Sequence, residues 1–391
     1  MGNRDTIIDT AVVRAGSLID GTGTPARENV FVRVEKGVVQ AVTKEAPAGS
    51  PEILDLSEHT VLPALIDSHV HLFLSGSVDP LAHRRQMEAE YEDAYPVISE
   101  NIDRQRTFGV LTVRDGGDGR AHVLRYRQHM HHADNTFFRI QTPGRGWFKP
   151  GRYGRLVGGE PLPEGDWMAA IDRQMSQADH VKLVNSGLNS LTRFGVQTAP
   201  QFTPDELAGI VTSAHAAGRP VMVHANGELP VRQAVEAGVD SIEHGYFAGT
   251  DNLLRMADRQ TFWVPTLVPM RAFADVDGDP AGAAARTLDH QTEQLAFAKR
   301  AGVRVAMGTD AGSPGVYHGA GMIQEMEFFM VAGYTIEQAV CCAAANNANL
   351  LRMSDRGRIG PGTPVLWTVV RGSAGGLPGS LEQAAVYAGT G

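Results

Sequence analysis

The sequence contains little cysteine. Its two cysteines, Cys341 and Cys342, are adjacent in an Ala-rich stretch of helical character, and neighbours in a helix cannot adopt the geometry of a disulfide. A chain of 391 residues is also long enough to bury a core without covalent cross-links. These facts exclude a disulfide-stabilised scaffold, and we expect a reduced, cytoplasmic protein.

Positive charge and long apolar segments are scarce as well. The 35 lysines and arginines are outnumbered by 44 aspartates and glutamates, which gives a formal net charge of −9. Nucleic acids and anionic membranes select basic surfaces, and no apolar run approaches the roughly 20 residues of a membrane span. The first residues lack the apolar segment of a signal peptide. We therefore expect neither nucleic acid nor a membrane as a partner.

Short strand patterns occupy both ends of the chain. In FVRVEKGVVQAV the alternation of apolar and polar residues predicts a hairpin that bends at Lys36-Gly37. After Leu351 the helical character ends, and RIGPGTPVLWTVV and AAVYAGTG again have the pattern of strands. We predict that residues 1–61 and 356–391 form one small β-sandwich-like domain.

The middle of the chain alternates short apolar runs with longer helical segments. Eight buried strands separated by helices are what a closed parallel barrel requires, so residues 62–355 are predicted to form a (β/α)8 TIM-type barrel of the α/β class. The eight runs are VLPALIDSHVHL, GVLTVRDGG, FFRIQTPG, HVKLVNSG, PVMVHANG, DSIEHG, FWVPTLV and VRVAMGTDAG.

Metal-binding side chains stand where several of these runs end. The first run carries His69 and His71, which point the same way because alternate residues of a strand share a face. The fifth ends at His224, the sixth at His244 and the eighth at Asp310. The carboxyl ends of barrel strands meet at one rim. Four imidazoles and a carboxylate at one rim suit zinc or a similar divalent ion.

The fourth run contains a lysine, Lys182, inside the apolar stretch HVKLVNSG. A buried lysine is costly unless it is neutralised, paired or used. A neutral lysine amine can react with carbon dioxide to form a carbamate, which is an anionic ligand with two oxygens that can bridge two metal ions. We therefore expect Lys182 to take part in the metal site.

The motifs HVH, VKLVNSG, VHANG, IEHG and GTDAG, in this order, resemble the amidohydrolase superfamily, specifically its binuclear members with a carboxylated lysine. The flanking TVLPALIDSHVHL, GVLTVRDGG and IGPG are similar too, so the resemblance covers essentially the whole chain. VKLVNSGLNS is most like the branch of prolidase-like dipeptidases, imidazolonepropionase-type enzymes and hydrolases of carbamates and ureas.

The resemblance implies a ligand set and a mechanism. The two histidines of HVH and Asp310 would bind one metal ion, and carboxylated Lys182 would bridge to a second ion held by His224 and His244. Zinc is the favoured metal, with manganese, iron and cobalt left open by the donors. A hydroxide between the ions would be the nucleophile, and Asp310 would pass its proton to the leaving amine.

Two other kinds of function remain to be weighed. Mononuclear deaminases of the superfamily lack the lysine and carry a glutamate three residues after the strand-five histidine, where this chain has Gly227 and places Glu228 one position later. Hydrolysis of an amide, peptide or carbamate bond in an N-acyl amino acid or dipeptide is favoured, with a deaminase or cyclic amide or amidine hydrolase as the alternative. A non-catalytic scaffold is disfavoured by the intact donor set.

The substrate contacts are less constrained by the motifs. The loop GRGWFKPGRYGR stands where the strand-three loop of those dipeptidases usually supplies a His or a Gly-His pair, and Asn226 replaces the second histidine of the HAH motif that many of them have. Arginine suits a substrate carboxylate, although a solvated basic loop and ordinary loop packing are the alternatives. The candidates are Arg145, Lys149, Arg152, Arg155 and Arg193 for a carboxylate, Trp147, Phe148 and Tyr153 for an apolar group, and Asn226 and His318 near the predicted ligands. A homo-oligomer is left open.

Overall fold

The computed structural model describes residues 6–47, 53–130, 137–160, 167–275, 279 and 282–390. Within these ranges the chain alternates strands and helices. The strands are β1 Thr6–Ile8, β2 Ala11–Leu18, β3 Arg27–Glu35, β4 Val38–Thr43, β5 Ile53–Pro63, β6 Leu65–Val70, β7 Val110–Asp115, β8 Arg139–Gln141, β9 Gly146–Trp147, β10 Val181–Val184, β11 Val221–Ala225, β12 Ser241–His244, β13 Phe262–Val264, β14 Arg304–Val305, β15 Leu366–Arg371 and β16 Ala385–Gly389.

The helices connect the middle strands, and α6 illustrates how the sequence starts them. The Thr203 side chain accepts a hydrogen bond from the amide of Glu206, and the Glu206 side chain accepts one from the amide of Thr203, so α6 begins with a capping box. None of the described helices is both long and apolar enough to cross a membrane. The helices are α1 Pro80–Glu88, α2 Tyr91–Thr107, α3 His122–Met130, α4 Arg155–Gly158, α5 Trp167–Met175, α6 Pro204–Ala216, α7 Glu228–Ala237, α8 Thr250–Arg259, α9 Val268–Asp275, α10 Ala283–Ala301, α11 Ala320–Val331, α12 Ile336–Cys341 and α13 Asn347–Leu350, with a π-helical turn over Cys342–Asn346.

Strands from both ends of the chain share one sheet. Its order is β1-β16-β15-β5-β2-β3-β4, and β3 pairs antiparallel with β4, with Glu35 opposite Val38. The predicted hairpin at Lys36-Gly37 is therefore confirmed, and both bend residues have positive φ. Buried side chains such as Val32 and Trp367 form a core of their own beneath this sheet.

The middle of the chain forms two parallel sheets, with orders β6-β7-β8 and β14-β13-β12-β11-β10-β9. Each of the eight predicted apolar runs contains a strand. Backbone hydrogen bonds connect the first sheet to the segment after β14, from Asp310 to His69 and from Ser68 to Met307. Among the described residues the ladders do not close into one ring, so the fold is a mixed α/β fold with two parallel sheets.

The third run contains the short strand β8, and a second short strand that was not predicted, β9, follows it in the other parallel sheet. Pro143 lies between them and has no amide hydrogen to donate, and Gly144 has a φ of +71°, which no strand residue adopts. The chain therefore turns at this point before it reaches Trp147.

Candidate active site

The predicted metal ligands lie together where the parallel strands end. A cavity of about 300 Å³ is lined by His69, His71, Lys182, His224, His244 and Asp310. The imidazole rings form a continuous series, with centroid distances of 5.5 Å from His71 to His69, 4.9 Å from His69 to His244, and 4.7 Å from His244 to His224. An Asp310 Oδ1 atom lies 3.3 Å from His71 Nε2 and 3.6 Å from His69 Nε2. The structure thus brings together all six residues that the sequence selected.

Two of these residues have unusual backbone conformations. His244 has a φ of +64° and Asp310 a φ of +58°, in the left-handed region that costs a residue with a Cβ about 1–3 kcal/mol. The amide of Asp310 donates to the His69 carbonyl over 2.8 Å. Such a conformation persists only where the surroundings impose it, and here it directs each side chain into the cavity.

Behind His69 lies a buried ionic network that sequence reasoning missed. His69 Nδ1 donates to Glu243 Oε2 over 2.8 Å, and Arg114 donates to Glu243 Oε1 over 2.8 Å and to the Ser68 carbonyl over 2.6 Å. The only signal in the sequence was a charged residue inside each of two apolar runs, and their pairing across β7 and β12 is not local. The network fixes the tautomer of His69 and directs Nε2 at the cavity.

The rings of His224 and His244 are also held by hydrogen bonds. His224 Nε2 donates to the Gly187 carbonyl over 3.2 Å, which leaves Nδ1 as the unprotonated nitrogen of a neutral ring. His244 Nδ1 lies 2.7 Å from Thr266 Oγ1, which leaves Nε2 free. A ring with one nitrogen held by a hydrogen bond and the other nitrogen free is typical of a metal-binding histidine.

The site fits a divalent metal ion. His69 Nε2 is buried and has no hydrogen-bond partner, and potential ligand atoms of His69, His71 and Asp310 all lie within 4.8 Å of one another. Burial lowers the pKa of His69 to about 4 and that of His244 to about 3. These two imidazoles are therefore neutral at pH 7, which is the form that binds metal.

Lys182 is 2% exposed and sits among the same side chains. Burial lowers its pKa to about 8, against the opposing charge of Glu243. A larger fraction of the amine is therefore neutral near pH 7 than for an exposed lysine. A neutral amine is the form that reacts with carbon dioxide.

Asp310 is an ionised carboxylate at neutral pH. Burial by itself would raise its pKa, but the hydrogen bond with His71 and the neighbouring imidazoles act in the opposite direction, and the pKa lies well below its usual range. A carboxylate in the cavity wall can accept a proton from water and release it to a more basic nitrogen.

We predict that Glu243→Gln weakens metal binding by about 10- to 100-fold, because it removes the charge that orients His69 and leaves Arg114 buried without its partner. The measurement is a zinc titration of metal-free protein. Glu236→Gln is the matched control, since Glu236 is an exposed residue whose side chain pairs with Arg255 at the surface. Unchanged zinc affinity in Glu243→Gln would show that the network does not support the site.

Two of the predicted substrate contacts lie in the cavity wall. The ring of Tyr153 lies 5.5 Å from that of His224, and the amide of Asn226 lies 3.5 Å from His224 Nε2. Both line the cavity, so they can contact a molecule bound beside the histidines.

The basic candidates lie elsewhere. Arg145, Arg152, Arg155 and Arg193 are exposed and outside the cavity lining. Arg152 donates to the carbonyl of Ala199 over 2.6 Å, and Lys149 is paired with Glu206. In the loop that follows β9, a backbone carbonyl therefore satisfies Arg152 and an acidic side chain satisfies Lys149.

The remaining candidates have structural contacts. Trp147 packs in the main core, and Phe148 packs against Val157 and Val184. His318 is buried, and its Nε2 donates to the Leu74 carbonyl over 2.9 Å. This bond holds the loop that follows β6. None of the three lines the cavity.

A histidine that the sequence did not single out, His83 on α1, also lines the cavity. No local pattern in the sequence signals this, because the position of α1 depends on tertiary packing. Most of the other unpredicted lining residues are apolar, namely Leu156, Val157, Val184, Leu188, Leu191, Pro269, Met270, Phe273 and Pro314.

A second buried carboxyl supports the site from further away. Glu325 on α11 accepts hydrogen bonds from the amides of Leu267 and Val268 over 2.9 and 3.1 Å, at the start of α9. These amides follow Thr266, which contacts His244. Burial raises the pKa of Glu325 to about 8.

The raised pKa of Glu325 predicts that the stability of the folded chain depends on pH. Burial raises its pKa from the ordinary value of 4.5 to about 8 in the folded chain, so its contribution is fully present below pH 4.5 and declines as the pH rises towards 8. We expect Glu325→Gln to flatten this decline in the free energy of unfolding, measured by urea denaturation across that range. Glu327→Gln, an exposed neighbour on α11, is the control. Identical pH profiles for both variants would contradict the assignment.

Comparisons with known proteins agree with this geometry. The model of the family described as the amidohydrolase family matches residues 60–370. The uncharacterised protein Rv2915c of Mycobacterium tuberculosis is 28% identical over 333 residues, which cover 83% of this chain and 82% of that protein. The imidazolonepropionase of Salinispora arenicola is 26% identical over 86% of this chain and 84% of its own. The crystal structure of a Xaa-Pro dipeptidase with bound methionine has a TM-score of 0.81 and 25% identity, covering 97% of this chain and 100% of that one.

Proposed function

The chain belongs to the amidohydrolase family and is an enzyme acting on carbon–nitrogen bonds, and from this premise we propose that it hydrolyses an amide, peptide or carbamate bond in a small molecule. The proposal includes two divalent metal ions, with zinc favoured. The observation that carries it is the convergence of four imidazoles, Lys182 and Asp310 on one cavity.

The proposed ligand set follows from the open atoms of these side chains. His69, His71 and Asp310 would hold one ion, and His224 and His244 the other. Divalent ions bound here would supply an activated water at neutral pH and polarise the carbonyl of the substrate. The protein's part is to anchor the far nitrogen of His69, His224 and His244, so that the rings keep one orientation.

Lys182 would join the two groups of ligands. We propose that its amine carries a carboxylate derived from carbon dioxide, formed from the neutral amine that burial favours. This modification replaces a cation that burial disfavours by an anion with two ligand oxygens. Intact-mass measurement of native protein would detect the added mass of one carbon dioxide, which acid treatment removes.

Asp310 would carry the proton. Its carboxylate accepts the proton of the attacking water and donates it to the leaving nitrogen, so that the carbon–oxygen bond forms as the carbon–nitrogen bond breaks. Tyr153 and Asn226, beside His224, would orient the substrate. The apolar wall would exclude bulk water from the reacting atoms.

The relatives favour two substrate classes. Similarity to a Xaa-Pro dipeptidase structure supports an open-chain amide, such as a dipeptide or N-acyl amino acid. Similarity to an imidazolonepropionase over 84% of that enzyme supports a cyclic amide or amidine, and we keep this as the second candidate. A deaminase is the third, disfavoured by Lys182 in the cavity.

The experiment is a screen of N-acyl amines, N-acyl amino acids, dipeptides, carbamates, ureas and cyclic amides against protein reconstituted with zinc and bicarbonate. The expected result is release of an amine from at least one of these classes, lost in metal-free protein and restored by zinc. Activity confined to aminated heterocycles, with release of ammonia, would contradict hydrolysis of an amide-type bond and support the deaminase.

The strand connections support a related proposal about the fold. We propose that the strands of the two parallel sheets complete a (β/α)8 barrel over residues 62–355 and that residues 1–61 and 356–391 form a small β domain. The hydrogen bonds between β6 and the segment after β14, and the sheet shared by the two ends of the chain, support this division.

A further inference from the structure

We propose that this site selects an uncharged, apolar substrate, so that neutral amides and carbamates are hydrolysed in preference to compounds that carry a carboxylate next to the scissile bond. This inference rests on the proposed function and narrows it. It departs from the carboxylate-binding role for which the sequence made the arginines of the loop after β9 candidates.

The wall of the cavity around the metal ligands is predominantly apolar. Its apolar side chains come from five parts of the chain, which are α4 with its neighbours, the end of β10, the segment after β10, α9, and the segment after β14. A substrate group that fills this space exchanges water for hydrocarbon contacts. The apolar lining residues are Leu156, Val157, Val184, Leu188, Leu191, Pro269, Met270, Phe273 and Pro314.

The cavity offers a carboxylate no guanidinium or second ammonium group. Every lysine and arginine of the chain except Arg4 belongs to the described residues, and of these only Lys182 lines the cavity. The nearest basic candidates are engaged elsewhere, Lys149 by Glu206 and Arg152 by the Ala199 carbonyl. A carboxylate entering this wall would lose hydration without gaining a cationic partner.

His83 is the basic side chain of the cavity wall that is not a proposed metal ligand. Burial lowers the pKa of its imidazole, so that the ring is neutral near pH 7 and can serve as a hydrogen-bond partner rather than as a counter-ion. The polar side chains that remain in the wall, including Tyr153, Asn189, Asn226 and Ser313, are all uncharged at that pH. They suit the carbonyl and N–H groups of an amide.

The apolar surface continues to solvent. Leu188 lines the cavity and is 59% exposed. An exposed leucine in the cavity lining keeps apolar area in contact with water, and a bound apolar group would cover it. The entrance and the interior therefore favour the same kind of molecule.

The test is a matched pair of amides with the same acyl group, an N-acyl phenethylamine and the corresponding N-acyl phenylalanine, which differ by one carboxylate. With zinc-loaded protein we expect kcat/KM to be about tenfold or more higher for the neutral compound. Equal values, or a preference for the phenylalanine derivative, would overturn the proposal while leaving amide hydrolysis intact.

Measurements of substrate binding distinguish a failure of this inference from a failure of the proposed function. If neither compound is hydrolysed, the proposed function loses support, but the dissociation constants of both compounds with Asp310→Asn protein still decide the preference. Tighter binding of the neutral compound by about tenfold supports an apolar site. Equal or weaker binding of the neutral compound contradicts it.

A charge introduced at the cavity mouth gives a second test. Leu188→Arg places a cation at an exposed position where folding is not at risk, and we expect it to shift the ratio of the two kcat/KM values towards the carboxylate by about tenfold. Leu229→Arg, at an exposed position of α7 outside the lining, should leave the ratio unchanged. If Leu188→Arg leaves the ratio of the two kcat/KM values unchanged, this result would contradict the idea that the charge of the wall sets the preference.

Discussion

Replacing Asp310 by asparagine is expected to lower kcat/KM by about 10³-fold, because the variant keeps the shape of the side chain but cannot accept and return a proton. The Asp310 carboxylate is placed for this role among the proposed metal ligands, since it lies 3.3 Å from His71 Nε2 and 3.6 Å from His69 Nε2. Steady-state kinetics on the best substrate of the screen provide the measurement.

Asparagine at this position keeps one oxygen as a possible metal ligand. We therefore expect Asp310→Asn to retain most of its metal, which separates loss of the proton carrier from loss of the ion. Asp289→Asn, at an exposed position of α10, is the control and should match the wild type. Activity of Asp310→Asn within a few-fold of wild type would assign the proton transfer to another group.

Lys182→Ala is the second substitution with a large expected effect. It removes the proposed bridge between the two groups of ligands, so we expect the chain to lose one of its two metal ions and kcat/KM to fall by about 10²- to 10³-fold. Metal analysis and kinetics on the same preparation measure both consequences.

Two further experiments test whether Lys182 acts as a carbamate or as a cation. Lys182→Arg keeps a cation but cannot form the carbamate, and it should be as inactive as Lys182→Ala. Acetate, which supplies a carboxylate of similar shape, should restore part of the activity of Lys182→Ala only, because alanine leaves space for it. Lys44→Ala, an exposed position, is the neutral control. Full activity in Lys182→Arg would exclude a carbamate.

The ligand positions were predictable because strand periodicity is a local property. Alternation places His69 and His71 on one face of a strand, and the end of a parallel strand lies at a defined edge of its sheet. His224, His244 and Asp310 each follow a short apolar run for the same reason. No long-range information was needed to group them, and the structure places all five around one cavity.

The supporting residues were not predictable in this way. The pairing of Arg114 with Glu243 joins strands 129 positions apart, and neither run shows which charged residue faces the other. His83 reaches the cavity only because α1 docks over it. Conversely, Arg152 follows aromatic residues in a strand-end loop, yet its side chain donates to the carbonyl of Ala199, far away in the sequence, and does not line the cavity.

Six side chains from separate parts of the chain are proposed to hold two metal ions in one cavity. Crystals of protein reconstituted with zinc and bicarbonate, measured at the zinc absorption edge, test this directly. We predict two anomalous peaks among the four histidines, with density for a carboxylated Lys182 between them. A zinc-loaded, active protein whose anomalous peaks lie away from these residues would contradict the proposed site.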